Sequence, residues 1–465
     1  MGVKVQAGEW ILLSENTGAV LTALERGETD GILPAACGFM DRFAQFLIEL
    51  GVPSLLDAFP DHRERRSIAP FLFCNLLLHK SLFRLDSLSE VGPFLFSSPD
   101  VMRTLGFNMR QIQEGFYSGS GQRPFNVEAI GDFFAGCELG DFLSNQKQVL
   151  TELIEKHPEI VEEGTLIMDC VDLRIPSGHN GRGEVHLEIC VVCAWSRGEA
   201  LPILWSIIPA NSKADITQGK AMMDEVMAIL GKKVKRLIVD RGFISGKWVT
   251  ELKRQGIDTV IGLRTDMAIH VDMIALSRLP ETVWLEAERP KCKNQPLCRH
   301  IAYLSDLETW DGCAVPLSGI VIRDTYADKV VYQTVVTTDI SAKPEQIHEW
   351  IRTRWAIEET FMEESRYGSF NKVGACRVGV AAAIAHFSLL AYTLLRLFAR
   401  KDEADRKTLR PALPTAGIRF VAYWREYYAI IFPSQLVEIV ARCAPSWGGK
   451  LPSVLKKLKA LEPSS

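Results

Sequence analysis

The stretch KRLIVDRGF, residues 235–243, is an apolar run that ends directly at Asp240 and continues with Arg241 and Gly242. A short apolar run between polar residues is typical of a buried strand. In open α/β sheets the working side chains lie at the carboxyl ends of strands, where loops border a cleft. Asp240 is therefore a candidate site residue, although a single aspartate at a strand end serves as readily as a turn former.

The sequence around this stretch predicts a mixed sheet that is covered by helices. Three predicted strands come first, the last two joined by the short turn SRGE, and helices then alternate with strands. The predicted strands are TLIMDCVDLRI (165–175), VHLEICVVCAW (185–195), ALPILWSIIPA (200–210), VKRLIVD (234–240) and DTVIGLR (258–264). The predicted helices between them are ITQGKAMMDEVMAIL (216–230) and GKWVTELKRQG (246–256).

The chain length of 465 residues, and the glycines and prolines that separate its periodic segments, predict several domains. We expect a helical N-terminal domain and an α/β core that a β-rich insertion divides. A helical C-terminal region should follow. The expected boundaries are 1–155 for the N-terminal domain, 160–265 and 339–400 for the two parts of the core, 266–338 for the insertion and 401–465 for the C-terminal region.

Composition indicates a globular protein, with 47% hydrophobic and 24% charged residues. A net charge of −4 does not point to a nucleic-acid partner, so such a role must rest on local basic patches. The candidates are HRERR (62–66), KKVKR (232–236) and KKLK (456–459), each of which also suits an ordinary solvated surface.

The thiols and the apolar segments predict a cytoplasmic protein without a membrane span. The eleven cysteines show no regular spacing, and the N-terminus lacks the pattern of a signal peptide. Cys292, Cys298 and His300 offer three possible zinc ligands, but a second half with zinc-site spacing is missing. The uncharged segment 378–395 is alanine-rich and contains His386, which favours a buried core helix.

A second acid precedes Asp240 on the first predicted strand. Asp169 closes the apolar run TLIM, and Asp172 follows three residues later. Three residues along an extended strand reverse the side on which a side chain lies, so the two aspartates cannot both point into one cleft without a bend. We expect Asp169 to be the residue that converges with Asp240.

A third acid comes from the long helix predicted for PEQIHEWIRTRWAIEETFMEES, residues 344–365. Pro344 suits the first turn of a helix. Arg354 and Glu358 are four residues apart and share one face of this helix. A surface ion pair explains that spacing equally well when it is taken alone.

Taken together, LIMDC, IVDRGF and RWAIEETF resemble the DDE transposases of bacterial insertion sequences, in particular the branch with a β-rich insertion before the glutamate. The resemblance covers roughly residues 160–400 and implies a ribonuclease-H-like fold. It also implies that Asp169, Asp240 and Glu358 are the catalytic residues and hold metal ions, two Mg²⁺ for which Mn²⁺ should substitute.

The resemblance implies DNA contacts by arginines near these acids. Arg354 matches the phosphate-contacting arginine of the family, and Arg241 and Arg352 are further candidates. The family carries a tyrosine where this chain has Ile351 and a lysine where it has Ser365. Arg366 is the candidate to replace that lysine. A threonine that is common two residues after the first acid is Val171 here.

The expected function is metal-dependent cleavage at the terminal inverted repeats of a transposon and strand transfer into target double-stranded DNA. Paired ends imply a homodimer associated with the bacterial nucleoid. Trp284 and Trp310 are candidates to stack on an unpaired base, with burial as the alternative for both. Two other functions stay open, a DNA-binding descendant that no longer cuts and a nuclease of the same fold without strand transfer.

Overall fold

The structure is a computed structural model, and its chain divides into two compact units, Met1–Cys137 with Leu394–Ser465, and Glu138–Thr393. The residues it describes are 14–35, 39–64, 68–96, 99–118, 121–123, 125–175, 185–209, 215–290, 294–367, 377–401, 419–425, 427–431 and 433–443. The predicted basic patch at 456–459 and the loop at 176–184 lie outside them.

The N-terminal segment of the first unit is mainly helical. Its helices are α1 (Thr17–Glu25), α2 (Phe39–Glu49), α3 (Val52–Asp57), α4 (Pro70–Leu82), α5 (Val91–Leu95), α6 (Pro99–Thr104), α7 (Met109–Glu114) and α8 (Glu128–Ala135). Its strands are β1 (Ser14–Glu15), β2 (Gly31–Ala35), β3 (Phe116–Ser118) and β4 (Gly121–Arg123). Helix α4 is buried along nearly its whole length and forms the centre of this segment.

The second unit carries the large sheet. Its helices are α9 (Leu139–Lys156), α10 (Asp215–Leu230), α11 (Gly246–Arg254), α12 (Ala268–Leu276), α13 (Pro344–Thr353), α14 (Trp355–Tyr367) and α15 (Val378–Lys401), whose last residues belong to the first unit. Its strands are β5 (Thr165–Ile175), β6 (Val185–Ser196), β7 (Glu199–Pro209), β8 (Arg236–Val239), β9 (Asp258–Gly262), β10 (Trp284–Glu286), β11 (Cys298–Leu307), β12 (Leu317–Thr325) and β13 (Val330–Thr337).

The order of the strands in this sheet is β10-β11-β12-β13-β9-β8-β5-β6-β7. Strands β5, β6 and β7 are antiparallel neighbours, whereas β8 lies parallel to β5, and β9 lies parallel to β8. Three antiparallel strands that continue into two parallel ones, with helices packed against them, confirm the predicted ribonuclease-H-like mixed sheet.

The turn between β6 and β7 is the hairpin that the sequence predicts. Arg197 and Gly198 occupy it with φ values of 54° and 78°. Positive φ at both central residues gives a turn whose twist matches that of the flanking strands, which explains the tight connection.

The region between β9 and α13 extends the same sheet. Strand β13 pairs antiparallel with β9, and β12, β11 and β10 follow outward in turn. Gly319 is needed in β12, because a Cβ there would lie 2.3 Å from the carbonyl oxygen of Val335 on the neighbouring strand. The expected β-rich insertion is thus continuous with the core sheet through hydrogen-bonded strands.

Helix α15 has the length and composition of a membrane span, with a mean hydropathy of 1.9, but 89% of its apolar window is buried inside the protein. Its His386 is completely buried, accepts a hydrogen bond from the indole N–H of Trp205 on β7 and contacts the side-chain oxygen of Asn145 on α9. These contacts agree with the prediction of a core helix.

The C-terminal segment adds strands to the helices that the sequence predicts there. Strands β14 (Arg419–Trp424) and β15 (Tyr427–Ile431) pair with each other, and α16 (Pro433–Cys443) follows. A four-stranded sheet of order β1-β15-β14-β2 results. Both strands are rich in aromatic and β-branched residues, which favour a pleated and half-buried surface over a helix.

Candidate active site

The register of two parallel strands places Asp169 beside Asp240. Strands β5 and β8 pair residue by residue up to Met168 opposite Val239, and an aspartate follows each of these two residues. Strand β5 runs from Thr165 to Ile175, as predicted, so Asp169 ends the apolar run but not the strand, which continues in its pairing with β6. The two aspartates therefore lie where β5 and β8 separate, at an equivalent level of the sheet.

Arg354 connects both aspartates with Glu358. Its Nη1 lies 3.6 Å from Oδ2 of Asp169 and 3.8 Å from Oδ1 of Asp240. Its Nη2 donates a 2.6 Å hydrogen bond to Oε1 of Glu358, one helical turn further along. The three predicted acids thus surround one guanidinium. The pair Arg354–Glu358 is not an isolated surface ion pair, because the same guanidinium also lies near both aspartates.

Asp172 is not part of this network. It is exposed and lies opposite Glu188 in the pairing of β5 with β6. The alternation of side chains along a strand accounts for the difference from Asp169, as three residues of separation reverse the facing.

The helix that carries Arg354 is interrupted at that residue. A single long helix was predicted, but α13 ends at Thr353 and α14 begins at Trp355. The amide of Ile357 bonds to the carbonyl of Arg354, three residues back, which tightens the first turn of α14. Neither a proline nor a glycine at the junction accounts for the break. It falls at the residue whose side chain reaches into the acidic cluster.

Asp169 is the most buried of the three acids. Its pKa is raised to about 6, chiefly by burial and less by the charges of Asp240 and Glu358, against the lowering effects of Arg354 and the N–H of Cys170. That N–H donates a 2.9 Å hydrogen bond to Oδ1 of Asp169. A positive charge placed beside the Asp169 carboxyl lowers its pKa, because the positive charge favours the ionised form.

Packing behind the acids holds the turn that follows Asp240. The ring of Phe243 lies against Gly219 on α10, where an added Cβ would come within 2.9 Å of two ring atoms. The same Cβ would lie 3.3 Å from the sulfur of Met168, the residue before Asp169. Sequence reasoning did not identify Gly219, because a glycine inside a helical pattern gives no sign of the ring it faces.

The donor chemistry of the three acids fits a hard divalent cation, since carboxylate oxygens are the ligands that Mg²⁺ prefers. The Arg354 guanidinium already marks the point at which positive charge is stabilised between them. As the side chains stand, no group of three or more His, Cys, Asp or Glu among the described residues could hold a metal ion. Asp169, Asp240 and Glu358 would have to close around an ion after Arg354 moves.

The other predicted DNA-binding arginines have different surroundings. Arg241 is exposed directly after Asp240, and Arg352 bonds to Glu288 at 2.6 Å. Sequence reasoning did not foresee this pair, which joins residues 64 positions apart. Arg366 belongs to α14, but its side chain lies outside the described part.

Two further predictions concern the tryptophans and the possible zinc ligands. Trp310 is only 6% exposed and is part of the core, which confirms burial, the alternative to base stacking, for this residue. The ring of Trp284 is half-buried, with the Arg323 guanidinium 4.0 Å from its centre. Cys292, the first of the three possible zinc ligands, lies outside the described residues.

The basic patches are only partly free surface. Arg63 donates two hydrogen bonds to Asp61, and its guanidinium lies 4.7 and 4.9 Å from the ring centres of Phe73 and Phe133. Arg63 is therefore a structural residue of the first unit. In the second patch Lys232, Lys233 and Lys235 are exposed, whereas Arg236 stacks on Trp350 at 3.4 Å.

A ribonuclease-H-like sheet, with acids from two parallel strands and a late helix meeting at one edge, has the architecture expected of a DDE transposase. The sequence matches the family described as "Transposase DDE domain" over residues 162–394, half of the chain, and the protein belongs to this family. It is a DNA transposase.

Comparison with solved structures finds a piggyBac transposase synaptic complex with hairpin DNA, at 10% sequence identity and a TM-score of 0.41. The alignment covers 94% of this chain and 88% of that chain. No curated protein matches the sequence. Members of the transposase DDE family cleave and join DNA and generally use divalent metal ions, so DNA is the substrate expected of this chain.

Proposed function

We propose that Asp169, Asp240 and Glu358 are the catalytic acids of this transposase and hold two Mg²⁺ ions, for which Mn²⁺ substitutes. The observation that supports this proposal is the convergence of the three carboxylates on the single guanidinium of Arg354. Two such ions would stabilise the attacking and the leaving oxygen of an in-line displacement at a DNA phosphate.

The chain's own residues would orient the DNA around this site. Arg354 is close enough to the acids to contact the phosphate under attack, and the exposed Arg241 can contact the same strand. Arg352 and Arg366 are proposed to bind phosphates further along. Guanidinium groups suit this task because their donors match two phosphate oxygens at once.

Two reactions of the same chemistry would give cut-and-paste transposition. Hydrolysis at the terminal inverted repeats frees a 3′-hydroxyl, and that hydroxyl then attacks a phosphodiester of the target DNA. The bond from phosphorus to the leaving oxygen breaks as the new bond forms, so this exchange needs no external energy source. We propose that a homodimer holds the two ends, that residues 1–155 contribute to DNA binding or dimerisation, and that the protein acts in the cytoplasm at the nucleoid.

The test uses the purified full-length protein, Mg²⁺ and a plasmid that carries the gene with its flanking DNA. Wild-type protein should nick at discrete positions flanking the gene and join the released ends to target DNA. Asp240→Asn and Glu358→Gln should abolish nicking and retain DNA binding in a gel-shift assay. Asp172→Asn is the matched control, because it removes a nearby acid of the same strand that does not contact Arg354.

The products distinguish the alternatives. Nicking without joined products would indicate a nuclease, and DNA binding without nicking would indicate a protein that no longer cuts. Normal nicking by Asp240→Asn, or its loss in Asp172→Asn alone, would refute the assignment of the acids.

A further inference from the structure

Arg354 occupies the position from which a cation would be held by all three acids. Its two terminal nitrogens contact Asp169, Asp240 and Glu358, and the side chain is only 13% exposed. A guanidinium that is hydrogen-bonded to Glu358 and lies 3.6 and 3.8 Å from the aspartate oxygens leaves no room for an ion between the three carboxylates. It also repels a divalent charge brought to the same few ångströms.

The backbone around Arg354 permits its side chain to leave. The residue lies at the junction of α13 and α14, outside the regular hydrogen bonding of either helix. Its guanidinium carbon is 5.3 Å from the centre of the ring of Trp355, which is 60% exposed. The guanidinium therefore already contacts an exposed aromatic ring as well as the acids, and a turn of the side chain toward solvent and DNA can keep this cation–π contact.

We propose that Arg354 is an internal counter-ion that keeps the three acids together around its guanidinium until metal and DNA arrive. The inference rests on the proposed function and deepens it by naming what keeps the empty triad together. In this state the guanidinium neutralises part of the repulsion among three carboxylates. Asp169, Asp240 and Glu358 would close around a bound ion, and Arg354 would turn outward to a DNA phosphate. Metal binding and the contact of Arg354 with the three acids are thus coupled, and each opposes the other in the absence of DNA.

The coupling predicts an unusual result for metal affinity. Removing the Arg354 side chain should strengthen the binding of metal when no DNA is present, because the ion then no longer competes with the guanidinium for the three acids. We expect Mn²⁺ to bind Arg354→Ala about tenfold more tightly than wild type, within the range of coupling common between linked sites. A residue that only supports the structure would give the opposite result, since its loss would loosen the site and weaken metal binding.

The measurement is isothermal titration of the full-length protein with Mn²⁺ in the absence of DNA, for wild type, Arg354→Ala and Arg354→Lys. Lys should retain part of the competition, because it keeps the charge without the two-nitrogen fork. Lys147→Ala is the matched control for the loss of one positive charge. Lys147 pairs with Glu225 and does not contact any of the three acids.

A second measurement does not require a variant at position 354. Mn²⁺ quenches fluorescence by itself, so Mg²⁺ is used, and its addition to wild-type protein should change the tryptophan emission as Arg354 moves relative to Trp355. The change should be lost in Trp355→Phe. Because the Trp355 side chain is exposed, Trp355→Phe should fold as wild type does, and circular dichroism checks this.

The outcomes separate the two proposals. If wild type binds Mn²⁺ and nicks DNA, but Arg354→Ala binds Mn²⁺ no more tightly, the counter-ion role is refuted and the proposed function stands. An emission that does not respond to Mg²⁺ in metal-binding wild type likewise refutes the movement of Arg354. If neither wild type nor Arg354→Ala binds Mn²⁺ and neither nicks DNA, both proposals fail.

Discussion

His386 should make the protein less stable in mild acid. Burial lowers its pKa to about 3. The hydrogen bonds support the same direction, because the Trp205 indole can only donate, so Nδ1 of His386 must accept and Nε2 must carry the proton that faces Asn145. A proton on Nδ1 as well would point at the N–H of Trp205, which is itself a donor, so the charged imidazolium would lose this hydrogen bond. The neutral imidazole is therefore the form that the folded core accommodates.

The size of the effect follows from the difference between the folded and the unfolded pKa. The unfolded chain takes up a proton near pH 6.5, whereas the folded chain does so only near pH 3. The stabilising contribution is present above pH 6.5 and is lost as the pH falls toward 3, since the unfolded state binds more protons in that window. Between pH 7 and pH 5 this amounts to about 2 kcal/mol of unfolding free energy.

Urea unfolding at pH 7, 6 and 5 measures this loss in wild type, His386→Gln and His386→Leu. Gln accepts from Trp205 without titrating, so the pH dependence of its unfolding free energy should be smaller by about 2 kcal/mol over this range. Leu should lose the same pH dependence and also about 1–3 kcal/mol at every pH, because the Trp205 N–H is left without that acceptor. A variant with the same pH dependence as wild type would refute the reasoning.

Three further predictions concern packing and the buried ion pair. Asp324→Ala should cost about 3–5 kcal/mol in urea unfolding, because it leaves the guanidinium of Arg299 buried without its bidentate partner at 2.7 Å. Arg299→Met with Asp324→Leu should cost clearly less, and equal losses would contradict that account. Gly219→Ala should cost about 1–3 kcal/mol by forcing Phe243 aside, and it should lower DNA nicking as well, whereas unchanged nicking and stability would show that the ring adapts. Trp310→Ala should cost about 3–5 kcal/mol as a core truncation, with DNA affinity per folded molecule unchanged in a gel-shift assay; a selective loss of affinity in a stable variant would instead favour base stacking.

Much of the catalytic core could be predicted from local patterns. Strand and helix periodicity identified β5 to β9 in order, and the turn SRGE identified the hairpin between β6 and β7. The acids at Asp169 and Asp240 stood out because carboxylates directly follow apolar runs. These features are local, since they depend on which face of a strand is buried and on the backbone conformations a few residues allow.

Other features depended on residues that are distant in the chain. The strands of the insertion could be recognised singly, but their addition to the edge of β9 depends on pairing with another part of the chain. The C-terminal strands β14 and β15 likewise exist as part of a sheet with β1 and β2, so helical spacing alone was a poor guide there.

By itself, the sequence determined the kind of side chains available to the site and their positions on strand ends and one helix face, because those follow from periodicity. Only the tertiary structure decided that Met168 stands opposite Val239, which brings Asp169 level with Asp240. It also decided that Arg354 joins those acids to Glu358 at a break between two helices. The physical reason is that strand register and side-chain contacts over such separations are set by packing of the whole sheet, and no local preference encodes them.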